Sequence, residues 1–406
     1  MKKKDKKTLV KKNWIQNFNL VGEAKVTDYT FKIDEHSNKS DWIYNMMNLG
    51  IFCGENHGTV FCDLMGGYGS EREDNPIYVH GKKEDNTDDF DNNYTIDWDD
   101  RLDDSILEDI GDLCFITVGI EKDSNEKTYY KKFLTPYDAI EYIKEHLTDG
   151  MVINVKGQLK YQLYNDSISV KKEINSIAIS KAALDSYKAS FTQTILLNKD
   201  SAGSSNIDKE KNILNVDAYL LEKFKEFNGH DLTNDGKIKG GQFVPLRKRF
   251  EYELDLENKD LTAKIISKLF RVKKGITQAT FLGDFVESGA AINVTIEDVP
   301  DDIKDLIEIG VYTEEEALKA CSTNGAKERR MILRKPLIKQ VGDDDNKVPQ
   351  IQRTEQVFDD EDLLLDCLIP KENDEEEEDL DTEDSSTTST SGDEDEDLAA
   401  LLDELD

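Results

Sequence analysis

The stretch TPYDAIEYIKEHLTDGMVINVKGQLKYQLYNDSISVKKEINSIAIS, residues 135–180, constrains the fold more than any other part of the chain. Thr135 is placed to cap a helix with Pro136 at its first position; Ala139, Ile140, Ile143 and Leu147 give that helix one apolar face, and Gly150 ends it. The periodicity then changes. Ile153, Val155, Leu159, Tyr161 and Leu163 alternate with Asn154, Lys156, Gln158, Lys160 and Gln162, the signature of a strand with one buried and one solvated face. YNDS at 164–167 turns the chain into a partner strand, so the helix is followed by a hairpin.

Extended segments precede this stretch at 14–26, 40–54 and 58–67, with two more at 113–122 and 128–135. Strands, one helix and a closing hairpin are the order of the OB-fold, a five-stranded Greek-key barrel that binds oligonucleotides across its face. The expected fold class is therefore mainly β (α+β), with an OB-type five-stranded barrel over residues 13–181 and an acidic insertion at 84–112. A second β-rich, barrel-like unit is expected over 187–340, with strands at 188–197, 212–221, 242–254, 261–272, 276–286 and 328–338. Two short helices, 299–310 and 312–321, precede its last strand. The halves share architecture without a visible sequence repeat.

Charge divides the chain further. A formal net charge of −34 argues against a polyanionic partner for the chain taken as a whole. Yet residues 341–406 hold 27 acids and 3 bases, and residues 84–112 hold 13 acids and 1 base, which leaves the remainder near neutral at +2. Two detachable acidic segments on a lysine-containing body let local clusters decide what is bound. Residues 1–12 carry seven lysines and read as a flexible basic arm, with no apolar run behind them to make a secretory signal. No stretch is long and apolar enough to span a bilayer. Five scattered cysteines (Cys53, Cys62, Cys114, Cys321, Cys367) fit the reduced thiols of a cytoplasmic protein. Residues 341–406 read as a disordered acidic tail. Its tip places Leu398, Leu401, Leu402 and Leu405 at helical spacing, an apolar stripe wrapped in acid that suits a docking peptide.

Sequence-tolerant binding of a single strand needs rings to stack bases and cations to hold phosphates. Trp42, Tyr44, Phe61, Tyr129, Tyr130 and Phe243 are the stacking candidates, and Lys131, Lys132, Lys156, Lys160, Lys171, Arg247 and Arg249 the phosphate candidates. In QFVPLRKRFEYEL, residues 242–254, Val244, Leu246, Phe250, Tyr252 and Leu254 share one parity, while Phe243, Arg247 and Arg249 share the other. In GTVFCDLM, Val60, Cys62 and Leu64 face inward, which leaves Phe61 outward near Trp42 or Tyr44. The plainer reading of any one strand is a core ring beside a solvated base. Coincidence over several strands favours a binding face.

Other chemistries fit less well. Cys53, His57, Cys62 and His80 match the donor set of a structural zinc site, but no paired knuckle is present, so the cysteines read as core of a hairpin turning at GENHG. DLTNDGKIKGGQ, residues 231–242, opens like a calcium loop but ends in Gln242 where a bidentate glutamate is needed. GGYG at 66–69 reads as a turn, without the Lys-Ser/Thr of a phosphate loop. No nucleophile elbow, zinc-hydrolase helix or kinase signature appears, so neither an enzyme nor a cofactor is expected.

The segment 135–180 and the tip DEDEDLAALLDELD resemble the single-stranded DNA-binding proteins of DNA replication, the large bacteriophage-type versions more than the short bacterial one. That resemblance implies an OB barrel that holds single-stranded DNA. It also implies an acidic tail that competes with DNA for the barrel and recruits replication, recombination and repair enzymes, in the host cytoplasm if the chain is phage-encoded. The bacterial tail ends in aspartates followed by isoleucine, proline and phenylalanine, whereas this one ends among leucines, so neither the partner's identity nor tetramer assembly carries over. Two rival readings remain at this point: an acidic DNA mimic or replisome scaffold that binds proteins, and an RNA-binding protein.

Overall fold

The computed structural model describes residues 6–164, 167–288, 328–342 and 347–370, with positions 304, 307 and 313 between them. β1 (Gln16–Lys25) is followed by β2 (Phe31–His36), β3 (Trp42–Phe52) and β4 (Thr59–Gly69). The chain then runs through β5 (Ile77–Lys82), β6 (Asp88–Ile96), the single turn α1 (Asp104–Leu107), β7 (Ile116–Lys122) and β8 (Thr128–Phe133). It returns by α2 (Pro136–His146), β9 (Val152–Tyr164) and β10 (Ser167–Ile179). β1 pairs with the end of β3 on one edge and with β9 on the other; β9 pairs with β10, and β10 runs parallel to β4 where Glu173 meets Asp63. With the β3–β4 hairpin, that cycle is a closed five-strand barrel in OB order.

The helix forms where its punctuation places it. Thr135 Oγ1 accepts from the Asp138 N–H at 3.3 Å, and Ala139, Ile140 and Ile143 are wholly buried against the barrel. Along β9, Ile153, Val155, Leu159 and Tyr161 are core as the alternation predicts, but Leu163 is 41% exposed because the hairpin outruns the barrel. GGYG is the end of β4 and not a turn: Gly67 and Gly69 pair with Tyr44 and Trp42.

A second cycle repeats the first. It is built from β11 (Lys188–Leu197), β13 (Ile213–Phe224), β16 (Gln242–Glu253), β17 (Ile276–Ser288) and β18 (Glu328–Pro336), with the two-residue pieces β12 (Ile207–Asp208), β14 (Glu226–Phe227) and β15 (His230–Asp231) beside them. β11 pairs with β13 and β17, β13 with β16, β17 with β18, and β16 runs parallel to β18. Residues 261–272, expected as a strand, are instead α3 (Lys259–Ile265) continued by a wider turn over Ile266–Phe270. Asn258 caps that helix through the Leu261 N–H at 3.2 Å, and Ala263, Ile266 and Phe270 bury at intervals of three and four residues. The helices expected at 299–310 and 312–321 lie outside the described residues, the three isolated positions apart.

The barrels meet along one seam. The first half of β1 pairs antiparallel with the first half of β11, Phe18 opposite Phe191, before each strand turns into its own barrel. Lys172 of β10 and Glu287 of β17 form a buried ion pair at 2.5 Å across the junction, and His57 Nδ1 lies 2.9 Å from the Phe285 carbonyl oxygen.

Three segments are more ordered than their composition suggests. Residues 6–12, expected in a flexible arm, lie against the second barrel: Leu9 is 5% exposed among Leu196, Leu221, Ile276, Phe358 and Leu363. Residues 347–370, expected in the tail, hold β20 (Val348–Ile351), which pairs with β19 (Ile338–Val341), and β21 (Arg353–Phe358), which pairs with β17. The acidic insertion is folded and not detachable, its own core formed by Val79, Ile96, Ile110, Phe115 and Leu134. Arg101 ties it to α2 through two bonds to the Asp138 carboxylate.

Candidate nucleic-acid interface

Alternation along β3 and β4 decides what faces water on the first barrel. Asn45, Met47, Leu49 and Ile51 point in, as do Val60, Cys62 and Leu64. Trp42, Tyr44, Met46 and Phe52 of β3 and Phe61 and Met65 of β4 therefore share the outer face, all half-buried. Trp42 and Tyr44 stack with ring centroids 4.9 Å apart and planes 20° apart. Gly67, opposite Tyr44, leaves that ring room: a Cβ there would fall 2.0 Å from the Ile43 carbonyl oxygen and 2.8 Å from Tyr44 Cβ.

Phe61 is outward as expected but not beside Trp42 or Tyr44. The register puts it opposite Gly50, six residues along β4 from Gly67, with Met46 and Met65 between. The rings thus mark out a path about 20 Å long. Cations flank it: Lys25 Nζ is 5.5 Å from the Phe52 ring, and exposed Lys32 sits opposite Met46. Trp42 also forms one wall of a cleft of about 480 Å³ shared with Tyr68, Arg72, Tyr78, Trp98 and Pro136.

The corresponding strands of the second barrel carry the other expected cluster. Val244, Leu246 and Phe250 of β16 are core, whereas Phe243, Arg247 and Arg249 face outward. Arg247 and Arg249 both bond Asp217 across the β13–β16 ladder, at 3.1 and 2.8 Å. The Arg249 hydrogen bond holds the Asp217 carboxyl below the usual carboxylate range, and Arg249 is raised in return. Two largely exposed guanidiniums on one carboxylate leave a net positive charge. Phe243 is less open than expected, because Lys11 of the arm and Lys223 sit 5.7 and 5.8 Å from its ring. Trp14 is 5.7 Å from the same Lys11 ammonium, so Trp14, Lys11 and Lys223 join this cluster.

The remaining candidates are dispersed. Lys160 and Lys171 face each other across the β9–β10 hairpin and Lys156 is exposed nearby; Lys160 pairs with Glu173. Lys171 and Phe61 each lie two residues before the β10–β4 bridge, on neighbouring strands. Tyr129, Tyr130, Lys131 and Lys132 are not brought to the Trp42 face, since β8 stands three strands from β4 in the order β4-β10-β7-β8. There Lys131 lies over Tyr142 at 4.8 Å, and Lys132 is held by Asp112 at 2.9 Å. Leu398, Leu401, Leu402 and Leu405 lie outside the described residues.

The candidate metal ligands do not converge. Cys53 and Cys62 are barrel core, where burial pushes the Cys53 thiol up to about 12 and Cys62 well above its ordinary range. His57 is bonded across the seam, and His80 belongs to the insertion. The 231–242 loop closes on itself, with Asp231 accepting from Thr233 and Asp235.

No protein-family model and no curated protein matches the sequence. Among solved structures, the wild-type single-stranded DNA binding protein from Thermus aquaticus matches with a TM-score of 0.28 at 10% identity, over 68% of this chain and 86% of that one. A deletion and point mutant of the same protein matches with a TM-score of 0.29 at 9% identity, over 68% and 88%. At these values neither match assigns a residue or a role to this chain.

Proposed function

We propose that this chain binds single-stranded DNA without sequence preference, along the outer face of β3 and β4 and across to the Arg247–Arg249 cluster. The observation that carries the reading is the row of Trp42, Tyr44, Met46, Met65, Phe61 and Phe52 on the outer face of an already closed barrel. A barrel needs those side chains neither for closure nor for its core, whereas a chain of unpaired bases needs a series of rings spaced along a strand. Cations at Lys25, Lys32, Lys171, Arg247 and Arg249 supply phosphate contacts without a base-reading pattern, which favours shape and charge over sequence.

On this reading the chain is a non-enzymatic binder that protects single strands during replication, recombination or repair. It works in the cytoplasm, and its acidic tip recruits partner proteins. Fluorescence anisotropy of labelled oligo-dT, its duplex and oligo-U, titrated with the full chain and with a Trp42→Ala/Tyr44→Ala double variant, tests it. Salt-sensitive binding to oligo-dT, weaker binding to the duplex and loss in the double variant are expected. Equal binding of the double variant would overturn the face, and a preference for oligo-U would move the substrate to RNA.

A further inference from the structure

We propose that the cleft between Trp42 and the insertion is a pocket for one base of the bound strand, with Arg72 on the adjoining phosphate. This rests on the single-strand reading above and extends it to the insertion, which that reading leaves without a role. The row of rings has two ends. At the Phe52 end the β3–β4 turn reaches the second barrel, where His57 Nδ1 lies 2.9 Å from the Phe285 carbonyl oxygen. At the Trp42 end the row runs into the insertion. Tyr44 stacks on Trp42 but does not line the cleft, so Trp42 is the residue at which row and cleft join.

Barrel and insertion build the cleft together. Three of the four residues that end β4, Gly66, Gly67 and Gly69, are glycines, so that part of the lining is backbone. Gly66 lies against Pro136, whose ring would be 2.8 Å from a Cβ there, and Gly69 makes room for Arg72, whose Nε would be 2.5 Å from one. Asn75 fastens the start of the insertion to the strand, donating to the Gly69 carbonyl at 2.9 Å and accepting from the Gly69 N–H at 2.8 Å. Arg101 fixes Trp98: it donates to the Trp98 carbonyl at 2.8 Å, lies 4.4 Å from the ring and holds Asp138 of α2 at 3.0 Å. Trp98 packs on Tyr68 as well, with centroids 5.1 Å apart. These walls are set before a ligand arrives, which leaves little ordering entropy to be lost on binding.

Two lining rings remain open to a base. Trp42 is half-buried, and Tyr78 is 82% exposed although its neighbour Val79 belongs to the insertion core. A large ring left in water beside an apolar cleft gains burial only when something covers it. At about 480 Å³ the cleft is of the size that takes small ligands. Charge selects which part of a nucleotide enters. Among the described residues Arg72 is the one charged side chain in the lining; it is 60% exposed and loosely paired, its Nε 3.6 Å from Asp41 Oδ2. Glu71, Glu73 and Asp74 flank it and are exposed. Their charge keeps the phosphate chain out, so the base enters and one phosphate stays at the rim on Arg72. The Asn75 amide is occupied by Gly69 and does not read the base, which keeps the pocket tolerant of sequence.

Oligo-dT carrying 5-iododeoxyuridine, irradiated on the full chain and followed by peptide mass mapping, is expected to label Tyr78 or Trp98 as well as Trp42. In anisotropy titrations Tyr78→Ala should bind oligo-dT at least about fivefold more weakly with an unchanged salt slope, and Tyr78→Phe should bind as the wild type does. Arg72→Gln should flatten the slope of log affinity against log salt by about 0.7, the share of one phosphate on a single strand. Cross-links confined to the row, with full affinity in Tyr78→Ala, would overturn the pocket, while loss of binding in Trp42→Ala/Tyr44→Ala would still uphold the face. If that double variant also binds as the wild type does, face and pocket fall together. Should Tyr78→Ala unfold the insertion, which near-ultraviolet circular dichroism would reveal, the wild-type cross-links decide alone.

Discussion

At the scale of single residues, the two faces make different predictions. Stacking is worth about 1–3 kcal/mol per base, so Trp42→Ala or Phe61→Ala should weaken oligo-dT binding roughly 5- to 150-fold while leaving its salt slope unchanged. Anisotropy titrations at several salt concentrations separate that from a phosphate contact, whose loss flattens the slope. Arg249→Ala belongs to the second kind and has a structural cost as well, because Asp217 is only 7% exposed and would keep Arg247 alone. A loss of about 1–3 kcal/mol at pH 7 is expected in urea melts. Its pH dependence has a definite sign. Asp217 has a lowered folded value, so its stabilisation is present above the unfolded carboxylate range, near pH 4, and is lost as pH falls through the folded one. The wild type and Arg249→Ala should therefore converge in stability at acid pH. Much of this was legible from parity alone: Phe61 and the Phe243, Arg247 and Arg249 set face outward as alternation requires. Asp217, Lys11 and Lys223 were not, because what joins them to those side chains is a pairing register and a docked arm, neither encoded locally.

At the scale of elements, the legible parts are those whose signal is local. The α2 cap, its apolar face and the following hairpin needed no distant partner to be recognised. α3 was misread because Ile265, Ile266 and Leu269 look strand-like by composition, and the interval of three and four residues among Ala263, Ile266 and Phe270 outweighs that preference only once it packs against the barrel. GGYG was misread for the opposite reason, since glycines that signal a turn in isolation here let two strands carry large rings on one side. Gly67→Ala should accordingly disturb the β3–β4 pair, lowering thermal stability and oligo-dT affinity together; unaltered affinity in a folded variant would show that Tyr44 is not used. The arm makes a separate prediction. Leu9→Ala removes a side chain buried among five others and should cost about 2–3 kcal/mol in chemical denaturation, whereas a merely flexible arm would lose nothing.

At the scale of the whole molecule, a chain of net charge −34 holds a polyanion as proposed only if its acid is kept off the binding face. Its acid is segregated. Part is folded into the insertion, where Asp112 faces Lys82 and Lys132. Another part, residues 371–406, carries 18 acids and one lysine in the sequence that follows Pro370. On the proposed reading that segment has a high effective concentration at the cationic face and competes with weakly bound DNA, but yields to a long strand that makes many contacts at once. Two truncations separate competition from architecture. Ending the chain after Pro370 should tighten oligo-dT binding several-fold at about 50 mM salt and leave it unchanged at about 300 mM, where tail and DNA are both screened. Ending it after Gln340 should instead destabilise the body, because it removes the buried Phe358 and Leu363, the strand that pairs with β17, and the Asp362 carboxylate that accepts from the Lys7 N–H at 2.8 Å. Equal low-salt affinity for the full chain and the Pro370 truncation would leave the tail a docking peptide with no part in DNA binding.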